Sequence, residues 1–105
     1  ANTSVGHSAN QLNQEGSNNT IIGYEAGRGT ALHNKAGNIL IGYQAGYNET
    51  GDNRLYIENS NSTTPLIYGE FDNDKLVFNA DNLRINGKNL YHYSAQPWIP
   101  FNLKL

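Results

Sequence analysis

Residues 38–46 read NILIGYQAG, and residues 19–27 read NTIIGYEAG. Asn19 aligns with Asn38, Ile22 with Ile41, Gly23 with Gly42, Tyr24 with Tyr43, Ala26 with Ala45 and Gly27 with Gly46. A weaker copy, NTSVGHSAN, occupies residues 2–10. There Val5 stands in the Ile22 and Ile41 place, His7 in the Tyr place and Asn10 in the final Gly place. Asn is the side-chain-bearing residue that best accepts the left-handed region, so this last exchange implies a positive φ. The glycines Gly6, Gly23 and Gly42 are spaced 17 and then 19 residues apart. Self-similarity at such a period is the mark of one structural unit stacked on itself.

Within NILIG, Ile39 and Ile41 point to one face of a strand and Leu40 to the other. A period near 18 residues fits a β-solenoid coil of two short strands and two turns. Both strand faces are apolar. One can fill the inside of the coil, and the other needs cover. A stack of about three thin rungs buries little surface alone, so the simplest cover is another copy of the chain.

The rest of the composition agrees with short strands and tight turns. Charged residues make up only 15% of the chain, and polarity comes instead from Asn, Gly, Ser and Thr. Apolar residues fall in strand-sized packets: Ile21-Ile22, Ile39-Leu40-Ile41, Leu55-Tyr56-Ile57, Leu66-Ile67-Tyr68, Leu76-Val77-Phe78 and Leu83 with Ile85. No packet sustains a helical period, so the expected class is all-β. The formal charge of −2 argues against nucleic acid as a partner, and no apolar run is long enough for membrane insertion. With no Cys, disulfides and thiolate metal sites are excluded.

With these residues in view, the phrase Asn-x-x-Ile/Val-Gly-x-x-Ala resembles the head repeats of trimeric autotransporter adhesins (YadA-head-like). The longer stretch from Ile41 to Asp74, with the later LRING, is similar to repeat-bearing surface and tail-fibre proteins of Bacteroidetes and their phages. The resemblance covers roughly residues 2–87. It implies a left-handed parallel β-roll, followed by short strands, in an intertwined homotrimer. It also implies a non-enzymatic structural and adhesive fibre module, extracellular, on a cell surface or a virion or phage-like particle. Expected partners are a host or cell-surface glycan or protein receptor and adjacent fibre modules. The period is longer than that of the tight adhesin repeat, so residues 11–18 and 28–37 are expected to bulge out as loops.

Three regions follow. Residues 1–58 hold the repeats, with NRLYIE at 53–58 as a final coil. Residues 59–89 form a non-repetitive β region, in which PLIYGEF starts a strand with Pro65. Residues 90–105 form an aromatic, Pro-rich extended tail with Tyr91, His92, Tyr93, Trp98 and Phe101 crowded together. The tail reads either as a platform for sugar rings or as a plug that closes an assembly or docks on the next module.

The residues expected to carry the repeat are Gly6, Gly23, Gly42, Asn10, Gly27, Gly46, Ile22, Ile41, Tyr24 and Tyr43. Tyr is expected to stack on the rung beside it. Neither a catalytic site, a cofactor site nor a metal site is expected. Glu70, Asp72 and Asp74 could serve a tail-spike-like carbohydrate-active enzyme, but alternate acids on a turn are usually solvated. His7, His33 and His92 lack ligand spacing. A remaining alternative is a subunit of a self-assembling extracellular filament, with the tail docked in the next subunit.

Overall fold

The computed structural model describes the backbone of residues 1–92 and the side chains of residues 1–89. It is all-β, with no helix among the described residues. A six-stranded sheet runs in chain order through β1 (Thr3–Val5), β2 (Thr20–Ile22), β3 (Ile39–Ile41), β4 (Arg54–Ile57), β5 (Ile67–Glu70) and β6 (Lys75–Phe78). A separate two-stranded sheet holds β7 (Asn82–Ile85) and β8 (Lys88–His92).

The repeat phrase sets the register of the first four strands, which pair in parallel. Ser4, Ile21, Leu40 and Tyr56 line up across them, flanked by the columns Thr3–Thr20–Ile39–Leu55 and Val5–Ile22–Ile41–Ile57. Parallel neighbours need long connections. Here these run as loops from Gly6 to Asn19, from Gly23 to Asn38 and from Gly42 to Asn53. The loops stack as the strands do. Glu25 N–H donates to His7 C=O at 2.8 Å, and Gln44 N–H to Tyr24 C=O at 2.9 Å. One turn further, Asn10 N–H donates to Ala26 C=O and Gly27 N–H to Ala45 C=O, both at 2.9 Å.

In β2, β3 and β4 a single residue is buried. Ile21, Leu40 and Tyr56 are buried with Ala26 and Ala45, and Ala9 and Tyr68 pack against them. Each buried Ile or Leu contributes about 1.5–3 kcal/mol, so this narrow core depends on every member. Backbone conformation closes the turn beside it. Asn10, Gly27 and Gly46 share φ values of 58°, 61° and 64°. A Cβ at Gly27 or Gly46 would press into Leu40, whereas Asn10 lies in the rung that has Ser4 at its middle.

Two sequence expectations need correction. The period suggested two strands per rung. Among the described residues, the second position is a single parallel bridge between Asn13 and His33. Side-chain bonds take the place of a longer ladder: Asn13 Oδ1 accepts from Gly16 N–H and Lys35 N–H at 3.1 Å, and its Nδ2 donates to Lys35 C=O at 3.0 Å. Nor does the loop at 28–37 simply bulge outward. Leu32 is exposed there, but Lys35 is wholly buried.

After β4 the pairing becomes antiparallel. Tyr56 faces Tyr68, which faces Val77, so β5 and β6 continue the same sheet without the repeat phrase. Pro65 is buried just before β5, which starts at Ile67. Glu58 organises this return, accepting from Ser60 Oγ and from Leu66 N–H at 2.8 Å. The β7–β8 hairpin turns on Asn86-Gly87, with φ of 53° and 74°. Positive φ at both central residues matches the twist of the strands it joins.

Candidate interaction surface

The outward face of the large sheet is the most prominent surface feature. Val5, Ile22, Ile41, Ile57, Ile67 and Phe78 form one line across all six strands. Five of them are substantially exposed: Val5 57%, Ile22 40%, Ile41 36%, Ile57 38% and Phe78 42%. At ~4.8 Å between strands the line is about 24 Å long. Scattered exposed hydrophobes are ordinary, but a contiguous apolar patch marks an interaction site.

Beside this face runs an aromatic ladder. His7 and Tyr24 stack with centroids 5.4 Å apart and planes 13° apart, and Tyr24 and Tyr43 at 5.6 Å and 7°. Both tyrosines remain about half exposed. The glycine before each ring, at Gly6, Gly23 or Gly42, has φ of 132°, 137° or 123°. A Cβ at any of these would overlap the backbone of the next rung.

An asparagine ladder runs through the interior. Asn2 Oδ1 accepts from Asn19 N–H at 3.0 Å, Asn19 Oδ1 from Asn38 N–H at 3.0 Å, and Asn38 Oδ1 from Arg54 N–H at 2.8 Å. The Nδ2 groups of Asn2, Asn19 and Asn38 donate to the carbonyls of Gly16, Lys35 and Gly51. The sequence alignment matched these asparagines without revealing that Asn19 and Asn38 are buried.

Lys35 is the other functional-type group that sequence reading passed over. Its Nζ donates to Gly27 C=O and to His33 Nε2. His33 Nδ1 lies 2.9 Å from Ala31 C=O. A carbonyl only accepts, so Nδ1 carries the ring proton and Nε2 offers its lone pair to Lys35. Burial lowers the Lys35 pKa from 10.5 to about 8, with Glu49 pulling the other way.

The acidic residues singled out from sequence are engaged in the β5–β6 turn. Glu70 accepts from Tyr68 OH and from Asn73 Nδ2, each at 2.7 Å, and these bonds hold its carboxyl below the usual range. Asp72 pairs with Arg54 at 2.9 Å, while Asp74 adopts φ 49°. Among the described residues, no group of three or more His, Cys, Asp or Glu side chains converges as a metal site. Tyr91 and His92 fall in the backbone of β8. Tyr93, Trp98 and Phe101, the rest of the proposed tail surface, lie outside the described residues. No family model matches the chain, and neither a curated protein nor a solved structure matches it.

Proposed function

We propose that this chain is a non-enzymatic structural and adhesive fibre module whose parallel rungs are coils of a β-roll-type solenoid. Three copies pack their outward sheet faces around a shared axis. The observation that carries this reading is the apolar line from Val5 to Phe78, which the described residues leave largely exposed. A face of this length needs a flat, equally apolar partner, and a second copy supplies one in matching register. The ladders parallel to it suit a mechanical role, because the first three rungs are tied to one another through backbone, amide and ring contacts. In this reading the module works outside the cell, on a cell surface or a phage-like particle, as a spacer or contact point toward a glycan or protein receptor.

The test is the solution mass of the 105-residue chain by light scattering after size exclusion. A mass near three times 11.6 kDa supports the trimer. A monomer at all concentrations overturns it, and large polydisperse species favour a filament. Attachment is tested separately, by screening the trimer against surface glycans.

A further inference from the structure

Asn86 is the one asparagine of the chain that precedes a glycine. Asparagines of the repeat region are held by their side chains. Asn13 Oδ1 accepts from Gly16 N–H and Lys35 N–H, Asn19 Oδ1 from Asn38 N–H, and Asn38 Oδ1 from Arg54 N–H. The residues that follow these three, Gln14, Thr20 and Ile39, all carry side chains. Asn86 sits instead at an exposed turn with φ 53°, and Gly87 follows with φ 74°. A Cβ at Gly87 would meet nothing within 4 Å, so among the described residues nothing keeps water from this peptide bond.

The turn joins β7 to β8, which form a sheet of their own. Ile85 faces Lys88 and Arg84 faces Asn89, with Arg84 Nε donating to Asn89 Oδ1 at 2.9 Å. Asn82, Arg84 and Ile85 are exposed. Two strands with so little burial are marginally stable in water, so this turn opens far more often than the rungs do. Each opening lets the side-chain carbonyl carbon of Asn86 meet the backbone nitrogen of Gly87. Glycine places no side chain in the way and adapts its backbone to the approach.

We propose that Asn86-Gly87 is a self-modification site, at which the chain rearranges in water and unlatches its own hairpin. Hydroxide takes the proton of Gly87 N–H. The nitrogen bonds to Asn86 Cγ, the Cγ–Nδ2 bond breaks, and Nδ2 leaves as ammonia with a proton from water. The five-membered imide then takes up one water molecule. Opening at Cγ restores the original backbone, with a carboxylate in place of the amide. Opening at the main-chain carbonyl breaks that carbon's bond to Gly87 N, and the chain then runs through the former side chain as isoaspartate. The turn then holds one more backbone atom between its strands. A two-residue loop matched to the strand twist cannot absorb it, so Ile85 and Lys88 lose their register. Both products add one negative charge to a chain of formal charge −2. The six-stranded sheet takes no part in the turn and keeps its pairing. None of this depends on the threefold packing.

The test incubates the 105-residue chain at mildly alkaline pH and follows it by peptide mapping in a mass spectrometer. A capped peptide of residues 82–92 serves as the unpaired reference. Exchange of ammonia for water adds about 1 Da. That gain is expected at Asn86 roughly tenfold faster, or more, than at any other asparagine. Hydroxylamine, which cleaves imides, should cut the incubated chain between residues 86 and 87. In the isoaspartate form, separated by chromatography, the amides of Ile85 and Lys88 should exchange as fast as in the reference peptide. Those of Ile22 and Leu40 should be unchanged. Asn86→Asp carries the charge on an unrearranged backbone and should keep the hairpin paired. Asn86 that stays intact in the chain while it converts in the peptide overturns the proposal, and so does equal conversion at other asparagines. Unchanged exchange at Ile85 and Lys88 in the isoaspartate form overturns the unlatching.

Discussion

Asn19 and Asn38 meet side chain to side chain: Asn19 Oδ1 accepts from both the backbone N–H and the Nδ2 of Asn38, at 3.0 and 3.1 Å. Each amide closes a gap that the backbone cannot. At the entry of β2, β3 and β4 an N–H faces the previous rung, and the asparagine side chain supplies its acceptor. Asn38→Ala leaves Arg54 N–H and Gly51 C=O without their partners, and the site is buried. Stranded buried groups cost about 1–3 kcal/mol each, so the expected loss for the two is about 2–6 kcal/mol. Asn2→Ala, at the exposed end of the ladder, should cost under about 1 kcal/mol. Urea unfolding of the two variants checks the order, and equal losses would show that the ladder is not an interior support.

Tyr24 has a ring on each side, whereas Tyr43 and His7 each have one in the described ladder. An aromatic pair is worth about 0.5–1.5 kcal/mol. Tyr24→Ala should therefore destabilise by about twice as much as His7→Ala, within roughly 1–2 kcal/mol. Chemical denaturation with near-ultraviolet circular dichroism reads both values. A Tyr24 effect no larger than that of His7 would mean that the rings are neighbours without coupling.

Substitution on the two faces of β3 should separate folding from assembly. Leu40 is fully buried and touches the turn glycines' surroundings, so Leu40→Ala is expected to cost about 2–5 kcal/mol in any oligomeric state. Ile41 points outward and is 36% exposed. Ile41→Asp should leave the strand content unchanged by circular dichroism and reduce the particle mass to that of one chain. Should Ile41→Asp keep the mass of the parent, the apolar line would not be the assembly face.

The repeat phrase made the parallel strands legible, because six matched positions within nine residues fix both element and register. The Gly-to-Asn exchange at position 10 likewise signalled a left-handed residue, and φ there is 58°. Which apolar residue turns inward was not legible. Ile39, Leu40 and Ile41 are chemically alike, and the choice is made by loop closure over Leu40. Strand chemistry at the second position was equally hidden, since Asn13 replaces ladder bonds with side-chain bonds that depend on residues 22 positions away. Asn86-Gly87 does carry a local hairpin signal, which the reading of Leu83 with Ile85 as a strand-sized packet leaves unused. Lys35 defeats sequence reading most completely. A lysine in a polar loop reads as solvated, and only the folded loop brings Gly27 C=O and His33 Nε2 to it.

That buried lysine sets the alkaline stability profile. Its pKa is about 8 in the fold against 10.5 in the unfolded chain, so between those values the unfolded state binds more protons. Stability therefore rises as pH increases from about 8 toward 10.5, as the cost of burying the charge is relieved. Tyr56 and Tyr68 act in the opposite direction. Burial first, then hydrogen bonds to Glu49 and Glu70, raises both above 10.0, Tyr68 to about 12. Above pH 10 the unfolded chain loses these phenolic protons while the fold retains them, so stability falls again. The expected curve has its maximum between about pH 9 and 10. Lys35→Met removes the group that titrates and should flatten the rising limb, leaving the fall above pH 10 intact. Urea midpoints of the parent and of Lys35→Met from pH 7 to pH 11 measure both limbs. A rising limb that survives in Lys35→Met would assign it to another group.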